Sequence, residues 1–377
     1  MPAVRNVLVV GAGVAGAASA ILLAEQGVAV DVVELKADIS AIGSGITLQG
    51  NALRVLRQLG VWEQVQTKGY AFDTLGLRAP DADGTLLVEM TDVRSGGADL
   101  PATVGMYRPE LARILLDRAT GVGAKVQFGT TLTELVQDGD GVDVTLSDGS
   151  RARYDLVIAA DGVRSATRGL LGVNLDTRAT GMGIWRIFAP RPPEVTRTDL
   201  FYGGPSYIAG YCPTGPDSLY AYAVEDAQDR STLGPQEQLE VLRSLASAYH
   251  GPWDQIITSI TEPDRVNYTW FETHVLERPW NRGRVVLIGD AAHCCPPTVA
   301  QGAAQALEDA AVLAELLLAA GEVDDPLWDG FMDRRYNRAK TVVDASVQLG
   351  DWLLEHNPAP DVPGLMGSVI RLVSQPA

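Results

Sequence analysis

The sequence is short of the residues on which several protein classes depend. It has three cysteines and four histidines in 377 residues, so it cannot carry a disulfide framework, and it lacks the ligand spacing of a zinc knuckle. Basic residues number 30 against 47 acidic ones, a net charge of −17, which disfavours nucleic acid and anionic membranes as partners. No apolar run reaches the roughly 18 residues of a membrane-spanning helix. We therefore expect a cytoplasmic protein without a metal.

A glycine-rich motif follows the first apolar segment. The β-branched run VRNVLVV favours a buried strand, and Gly11, Gly13 and Gly16 come directly after it. A helix and a second strand follow, and that strand ends at Glu34. In such a βαβ unit the glycines permit a tight turn, the approach of a pyrophosphate and close packing of helix on strand. Glu34 is placed to accept hydrogen bonds from ribose hydroxyls and to repel the 2′-phosphate of NADP. The motif predicts a dinucleotide site but does not separate FAD from NAD.

Two later motifs identify the kind of dinucleotide through a resemblance. One is the run VIAA followed by Asp161-Gly162, with Arg164 shortly after it, and the other is Gly289-Asp290 followed by AAH. Together with the glycine-rich motif they resemble, in order and spacing, the FAD-dependent aromatic hydroxylases. These are single-component flavoprotein monooxygenases of the p-hydroxybenzoate hydroxylase type. The run AQGAA near residue 302 is similar to the hydroxynicotinate and salicylate branch of that family.

The resemblance implies an α/β fold with a Rossmann-like FAD-binding domain, an inserted antiparallel-sheet substrate domain and C-terminal helices. An antiparallel pattern between two βα-type segments agrees with such an insertion. The predicted boundaries are 1–75, 101–178 and 268–345 for the FAD-binding domain, 76–100 and 179–267 for the substrate domain, and 346–377 for the C-terminal helical segment.

The resemblance also implies which residues hold a non-covalent FAD. Asp290 matches the aspartate that bonds the ribityl chain, and Arg108 matches an arginine that binds phosphate or ribityl oxygens. The loop Gly43–Ile46, with Asn51, matches the segment along the isoalloxazine ring. A helix N-terminus near residue 302 would stabilise negative charge on the reduced flavin. The residues predicted to contact the cofactor are Gly11, Gly13, Ala15, Gly16, Glu34, Leu35, Lys36, Gly45, Ile46, Arg108, Asp161, Gly289, Asp290, Gln301, Gly302 and Ala303.

A predicted hairpin supplies candidates for the substrate pocket. Alternation along its strands places Tyr207 and Tyr211 on one face, and Tyr220 and Tyr222 on one face of the partner strand. If these two faces coincide, they form a wall of phenols that suits a planar substrate. Ordinary half-buried sheet tyrosines are the alternative. The candidate catalytic residues are Tyr211, Tyr220, Tyr222 and Pro297, and the candidate substrate contacts are Arg186, Tyr207 and His274.

The activity implied by the resemblance is hydroxylation of a small aromatic or heteroaromatic substrate. NADH or NADPH would reduce the flavin, and O2 would then give a C4a-hydroperoxyflavin that transfers oxygen. Two alternatives stay open. One is another flavin reaction on the same scaffold, such as epoxidation, Baeyer–Villiger insertion or dehydrogenation, and the other is a binding protein like the GDP-dissociation inhibitors. We expect a monomer or a homodimer.

Overall fold

The structure of the protein is a computed structural model, which describes residues 2–39 and 45–377. Ten α-helices and twenty strands lie within these two ranges. The helices are α1 (Val14–Ala24), α2 (Gly50–Gln58), α3 (Trp62–Lys68), α4 (Arg108–Gly121), α5 (Ala166–Leu170), α6 (Pro235–Ala246), α7 (Pro252–Ser259), α8 (Gly302–Ala319), α9 (Asp325–Leu354) and α10 (Val362–Ser374). The strands are β1 (Asn6–Val10), β2 (Ala29–Glu34), β3 (Gly45–Gln49), β4 (Tyr70–Phe72), β5 (Thr74–Arg78), β6 (Leu86–Thr91), β7 (Thr103–Tyr107), β8 (Lys125–Phe128), β9 (Leu132–Gln137), β10 (Val142–Leu146), β11 (Arg151–Tyr154), β12 (Leu156–Ala159), β13 (Arg178–Pro190), β14 (Thr198–Tyr202), β15 (Ile208–Pro213), β16 (Ser218–Asp226), β17 (Val266–Val275), β18 (Asn281–Arg282), β19 (Val285–Leu287) and β20 (His293–Cys294).

The glycine-rich motif belongs to a six-stranded sheet of order β18-β19-β12-β1-β2-β8. β1 pairs in parallel with β2 and β12, and β12 pairs in parallel with β19. Val7, Val9 and Val32 are fully buried on the face that the helices cover, whereas Leu8 and Val10 pack on the other face against the three-stranded sheet β11-β10-β9. The sheet brings together strands from distant parts of the chain. The carboxyl ends of β1, β12 and β19 meet at one edge, where ligands of such sheets bind.

The second large sheet has eight strands in the order β20-β17-β13-β16-β15-β14-β5-β6, and its two faces differ. The face that carries Trp185 and Tyr211, which we call the outer face, is covered by α6 and α7. Trp253 of α7 is fully buried against this face. The opposite face carries Arg186 and Tyr222, which pair directly across β13 and β16. We call it the inner face, and it turns toward the cofactor-binding half of the molecule.

A three-stranded sheet of order β3-β7-β4 meets the inner face. The hydroxyl of Thr47 lies 3.8 Å from the thiol sulfur of Cys212. A Cβ atom on Gly45 would lie only 2.5 Å from Cβ of Tyr220, so a residue without a side chain is needed at this contact. The start of β3 is therefore pressed against the inner face at Tyr220.

Buried ion pairs join the C-terminal helices to the rest of the molecule. Arg335 on α9 is 0% exposed and donates hydrogen bonds to Asp309 (2.7 Å) and Glu308 (2.9 Å) on α8. Arg338 donates to Glu308 at 2.7 Å, and His293 Nε2 lies 2.6 Å from Asp309. Burial favours the protonated acid, but the charges of His293 and Arg335 hold the pKa of Asp309 at about 2. Buried charges need such partners, and here each carboxylate has at least two.

Several predicted elements are confirmed and others are shorter than predicted. The hairpin strands β15 and β16 flank the turn at 214–217 as predicted. The segment MYRPELARILLDR at 106–118 has a helical pattern, but α4 begins only at Arg108, because Met106 and Tyr107 belong to β7 and Pro109 lies in the first turn. The apolar run at 284–293 forms only the short strand β19, followed by a 3₁₀ turn at Gly289–Ala291. In the described part of the chain, no helix is both long and apolar enough to cross a membrane. The domain boundaries stay a prediction.

Candidate active site

The three glycines of the first motif have three different surroundings. Gly11 has φ +100°, and a Cβ atom there would lie 2.4 Å from the carbonyl oxygen of Ala160. A Cβ on Gly16 would lie 1.9 Å from the carbonyl oxygen of Gly11. A Cβ on Gly13 would have no described heavy atom within 4 Å. Gly11 and Gly16 are therefore required by packing, whereas Gly13 leaves open space at the N-terminus of α1, where a pyrophosphate would be attracted.

Glu34 is held at the carboxyl end of β2 by the backbone around it. Its two oxygens accept hydrogen bonds from the N–H groups of Ala12 and Lys36, both at 2.9 Å. Each carboxylate oxygen keeps a second lone pair for another donor. Leu35 beside it is 69% exposed, and the side chain of Lys36 is exposed as well. The carboxylate is thus oriented and still able to accept bonds from ribose hydroxyls.

Three interactions hold the backbone of the turn Gly289–Ala291. The N–H of Gly289 donates to Asp309 at 2.8 Å, and Arg168 donates to the carbonyl oxygen of Ala291 at 2.9 Å. His274 Nε2 donates to the carbonyl oxygen of Asp290 at 2.9 Å. A Cβ on Gly289 would lie 3.1 Å from Cβ of Ala15, so the turn packs directly on α1. The turn is therefore fixed before any ligand binds.

The carboxylate of Asp290 has no hydrogen-bond partner among the residues that the structure describes, although its backbone is fixed. Burial raises its pKa, and the positive charges of His293 and Arg108 oppose this effect. The residue nevertheless keeps exposed surface, so it faces a concave space between protein elements. Water reaches the carboxylate there, so the hydroxyl groups of a ligand can bind it by replacing that water. A polyhydroxylated chain such as the ribityl group of FAD offers suitable donors.

The N-terminus of α8 opens into the same space. Its first residue, Gly302, would place a Cβ no closer than 4.0 Å to a described atom, the sulfur of Cys295, and Ala303 is half-buried. No side chain caps this helix end. The free N–H groups and the helix dipole therefore favour a ligand with partial negative charge. Pro297 is exposed in the 3₁₀ turn before the helix, and the exposed side chain of Arg108 lies near enough to Asp290 to lower its pKa.

The Asp161-Gly162 segment lies against the glycine-rich turn but uses its carboxylate locally. Asp161 accepts hydrogen bonds from the Ser165 hydroxyl (2.6 Å) and the Thr167 N–H (2.9 Å), which fixes the start of α5. Cα of Asp161 would lie 3.0 Å from a Cβ on Gly11. The side chain of Arg164 is 84% exposed, with Glu272 at 3.6 Å.

Two tyrosines and an arginine form a polar group on the inner face. The rings of Tyr220 and Tyr222 lie 5.1 Å apart, and both stay partly exposed. Burial raises the pKa of both phenols, so they are neutral hydroxyls at pH 7. Arg186 lies directly opposite Tyr222 and donates to the hydroxyl of Thr269. The contact between Tyr220 and Gly45 places this group next to the start of β3, which also carries the half-buried Ile46.

Comparison with known proteins agrees with this geometry. A family model described as FAD binding domain matches residues 5–346. The chain belongs to this flavoprotein family. The aurachin C monooxygenase/isomerase of Stigmatella aurantiaca is 31% identical over 354 residues, which cover 92% of this chain and 90% of that protein. The 2-heptyl-3-hydroxy-4(1H)-quinolone synthase of Pseudomonas aeruginosa is 31% identical over 319 residues, which cover 82% and 80%.

A solved structure gives the same result for the fold. The tetrameric form of 2-methyl-3-hydroxypyridine-5-carboxylic acid oxygenase matches with a TM-score of 0.82 at 25% identity, over 98% of this chain and 96% of that one. The resemblance drawn from the three motifs is therefore confirmed. The protein is an FAD-dependent monooxygenase of the aromatic hydroxylase class, with a Rossmann-like FAD-binding fold.

Two residues predicted for the substrate pocket of this flavoprotein monooxygenase lie elsewhere. Tyr211 is 1% exposed on the outer face, where it donates to Asp199 at 2.8 Å, so its face does not coincide with that of Tyr220 and Tyr222. His274 is also buried, and its second ring nitrogen lies 3.0 Å from the Thr177 hydroxyl. Burial lowers the pKa of His274 to about 4. The predictions of Tyr211 as a catalytic residue and of His274 as a substrate contact are wrong, because neither side chain reaches the pocket.

Further predictions need correction or stay open. Gln301 is 0% exposed and its amide bonds to Asn51, whose own amide also donates to Glu308. Neither residue can touch the flavin, so the predicted contacts are wrong. Tyr207 does not share a face with Tyr211: its ring packs against the inner-face cluster that contains Ile184 and Val224, 5.8 Å from the ring of His356, and its hydroxyl donates to Asp226 at 2.7 Å. Gly43 and Ser44 of the predicted flavin loop lie outside the described residues.

The sequence did not reveal the buried residues that hold the backbone of the site in place. These are Arg168, which donates to the Gly289–Ala291 turn, and Asp309 with its partner Arg335. One signal was available: Glu308 and Asp309 are adjacent carboxylates within a largely apolar helix, QGAAQALEDAAVLAELLLAA. Such a pair, once buried, requires cations from a neighbouring element.

Proposed function

We propose that this flavoprotein monooxygenase uses NADH or NADPH and O2 to hydroxylate a fused nitrogen heteroaromatic ring. The observation that carries the proposal is the polar group of Tyr220, Tyr222 and Arg186 on the inner face, beside Gly45. The names of two related proteins, for a quinolone and for a hydroxypyridine carboxylic acid, support a heteroaromatic ring of this kind.

The residues around the open edge of the parallel sheet fit FAD. We assign the space beside Gly13 to the pyrophosphate, Glu34 to the ribose hydroxyls and Asp290 to the ribityl chain. When bound, FAD would supply the redox chemistry, namely hydride acceptance from the nicotinamide and transfer of one oxygen atom of O2. The N–H groups of Gly302 and Ala303 would stabilise negative charge on the reduced flavin.

The inner face suits a substrate that is made electron-rich by a negative oxygen. Arg186 supplies a positive charge that stabilises an enolate or phenolate form of the ring. Tyr222 lies opposite it and, as a neutral hydroxyl, can donate a hydrogen bond to the same oxygen or accept one from a ring N–H. The tyrosines therefore orient the ring, and the arginine favours its reactive charge state.

A substrate screen with labelled oxygen tests the proposal. The purified enzyme with FAD is offered 4-quinolones and hydroxypyridine carboxylates, and NAD(P)H consumption is compared with product mass under isotopically labelled O2. We expect a product that gains one labelled oxygen atom. Arg186→Met should lower kcat/KM by about 10- to 150-fold, since a charged hydrogen bond is worth ~1.5–3 kcal/mol. Arg265→Met, at an exposed arginine paired with Glu262, is the control. A dehydrogenated product, or equal losses in both variants, would contradict the proposal.

We also propose a cytoplasmic location and a monomer or homodimer. The three cysteines are free thiols, which suits a reducing compartment that also supplies reduced nicotinamide. Size-exclusion chromatography with light scattering tests the oligomeric state.

A further inference from the structure

The inner face continues past the substrate tyrosines to the edge of the eight-stranded sheet. Cross-strand pairing places one set of residues from β14, β5 and β6 on this face, beyond Tyr222. All of them are apolar or aromatic and keep exposed surface, with Tyr202 at 45%, Val88 at 42% and Met90 at 39%. We call this set the apolar strip; it consists of Leu75, Leu77, Val88, Met90, Leu200 and Tyr202.

The apolar strip is continuous with the proposed substrate site. Gly210 lies between Tyr222 and Leu200 in the sheet, and its lack of a side chain lets these two side chains approach each other above it. A Cβ atom on Gly210 would lie 2.8 Å from the Tyr222 hydroxyl and 3.0 Å from Cδ2 of Leu200. Tyr202 is near enough to contribute to the raised pKa of Tyr222, after burial, the main cause. A ligand that binds over the tyrosines can therefore extend onto the apolar strip without contacting a charged side chain.

The outer face of the same strands carries charged residues instead of apolar ones. There Arg78 pairs with Asp199 at 2.6 Å, and Arg197 pairs with both Asp199 and Glu89 at 2.9 Å. These ion pairs make the sheet edge polar on one side only. A contiguous exposed apolar surface on one side marks a binding site, and its continuity with Tyr222 indicates that the occupant is part of the substrate.

We propose that the apolar strip binds an uncharged hydrocarbon chain attached to the heteroaromatic ring of the substrate. This inference rests on the proposed function. The strip offers no charged side chain, so it suits an alkyl or isoprenoid chain rather than one that ends in a carboxylate. From Tyr222 on β16 to Val88 on β6 there are four strand spacings, roughly 19 Å in all. A bicyclic ring over Tyr222 and Leu200 leaves about half of this length for the chain.

Binding of a chain-length series to the FAD-loaded enzyme tests the inference. The probes are 4(1H)-quinolones with methyl, propyl, pentyl and heptyl groups at position 2, titrated while the flavin absorbance is followed. In the wild type we expect Kd to fall about fourfold for each added methylene, the fold-change that corresponds to ~0.8 kcal/mol. Leu77→Asn should remove this dependence for chains that reach β5. Val88→Asn, at a more exposed position, repeats the test should Leu77→Asn fold poorly.

Leu86 provides a matched control, because it lies on β6 but pairs with Arg78, whose side chain is on the outer face, and it is 39% exposed. Leu86→Asn should keep the full chain-length dependence. A wild-type Kd that is independent of chain length, or equal losses in Leu77→Asn and Leu86→Asn, would overturn the inference while leaving hydroxylation intact. Chain-dependent binding without oxygenated product would support the strip and refute the proposed function. A dimer that dissociates in Leu77→Asn would show that a second copy covers the strip, which also overturns the inference.

Discussion

Replacing Gly13 with alanine separates cofactor binding from folding. Its backbone has φ −71°, which any residue adopts, and a Cβ atom would meet no described atom within 4 Å. The loss of backbone freedom in the unfolded chain stabilises the variant by about 0.4–1 kcal/mol, and the poorer helix cap opposes this by a similar amount. The free energy of unfolding of the apoprotein should therefore change by less than about 1 kcal/mol. If a pyrophosphate occupies the open space, the methyl group overpacks that contact by about 1–3 kcal/mol, so Kd for FAD rises about 5- to 150-fold.

Two measurements and one control decide this prediction. Urea unfolding of the apoprotein gives the stability, and quenching of flavin fluorescence gives Kd for FAD. Gly121→Ala is the matched control, since a Cβ atom at Gly121 also meets no described atom within 4 Å and this residue ends α4 far along the chain. By contrast, Gly11→Ala and Gly16→Ala should lose stability, because their Cβ atoms would collide with backbone oxygens. Wild-type affinity for FAD in Gly13→Ala would refute the assignment of the pyrophosphate to this space.

Three further changes test the supporting structure. Ala300 has φ +53°, so Ala300→Gly should raise the free energy of unfolding in urea by about 0.5–1 kcal/mol; no gain would show that the conformation is unstrained. His274 has its pKa lowered from 6.5 to about 4, so wild-type stability should be complete above pH 6.5 and fall by ~3 kcal/mol as the pH drops to about 4. His274→Asn should flatten that profile, and an unchanged slope would contradict the assignment. Arg335→Met should cost about 3–5 kcal/mol by leaving buried carboxylates unpaired, whereas Arg334→Met, at a more exposed pair with Glu315, should cost less than about 1 kcal/mol; equal costs would refute the network.

The cofactor half of the site could be predicted because its requirements are local. Gly11 and Gly16 are needed by contacts within one βαβ unit, and a strand followed by a glycine-rich turn and a helix is visible in the sequence. For these glycines the residue type, the neighbouring elements and the chemistry lie within about ten positions of one another. Asp290 was assigned only through the resemblance of its motif to that of the aromatic hydroxylases.

The substrate half could not be predicted to the same depth, because alternation tells which residues share a face but not which face points inward. The register of the hairpin pairs Tyr211 with Ala221, so Tyr220 and Tyr222 fall on the other side of the sheet. A shift of one residue in that register would have reversed the result. The bond between Asp309 and Arg335 was beyond sequence reasoning for another reason, since it depends on how two helices pack.

The arrangement of the parallel sheet has a consequence for synthesis on the ribosome. β19, which completes the row β1-β12-β19, starts at Val285, and Arg335, which fixes the next turn through Asp309, is made later still. The antiparallel sheet is by then almost entirely synthesised and can fold while the nascent chain still grows. A ribosome that stalls before residue 285 would thus release a chain with a glycine-rich motif but no means of retaining flavin.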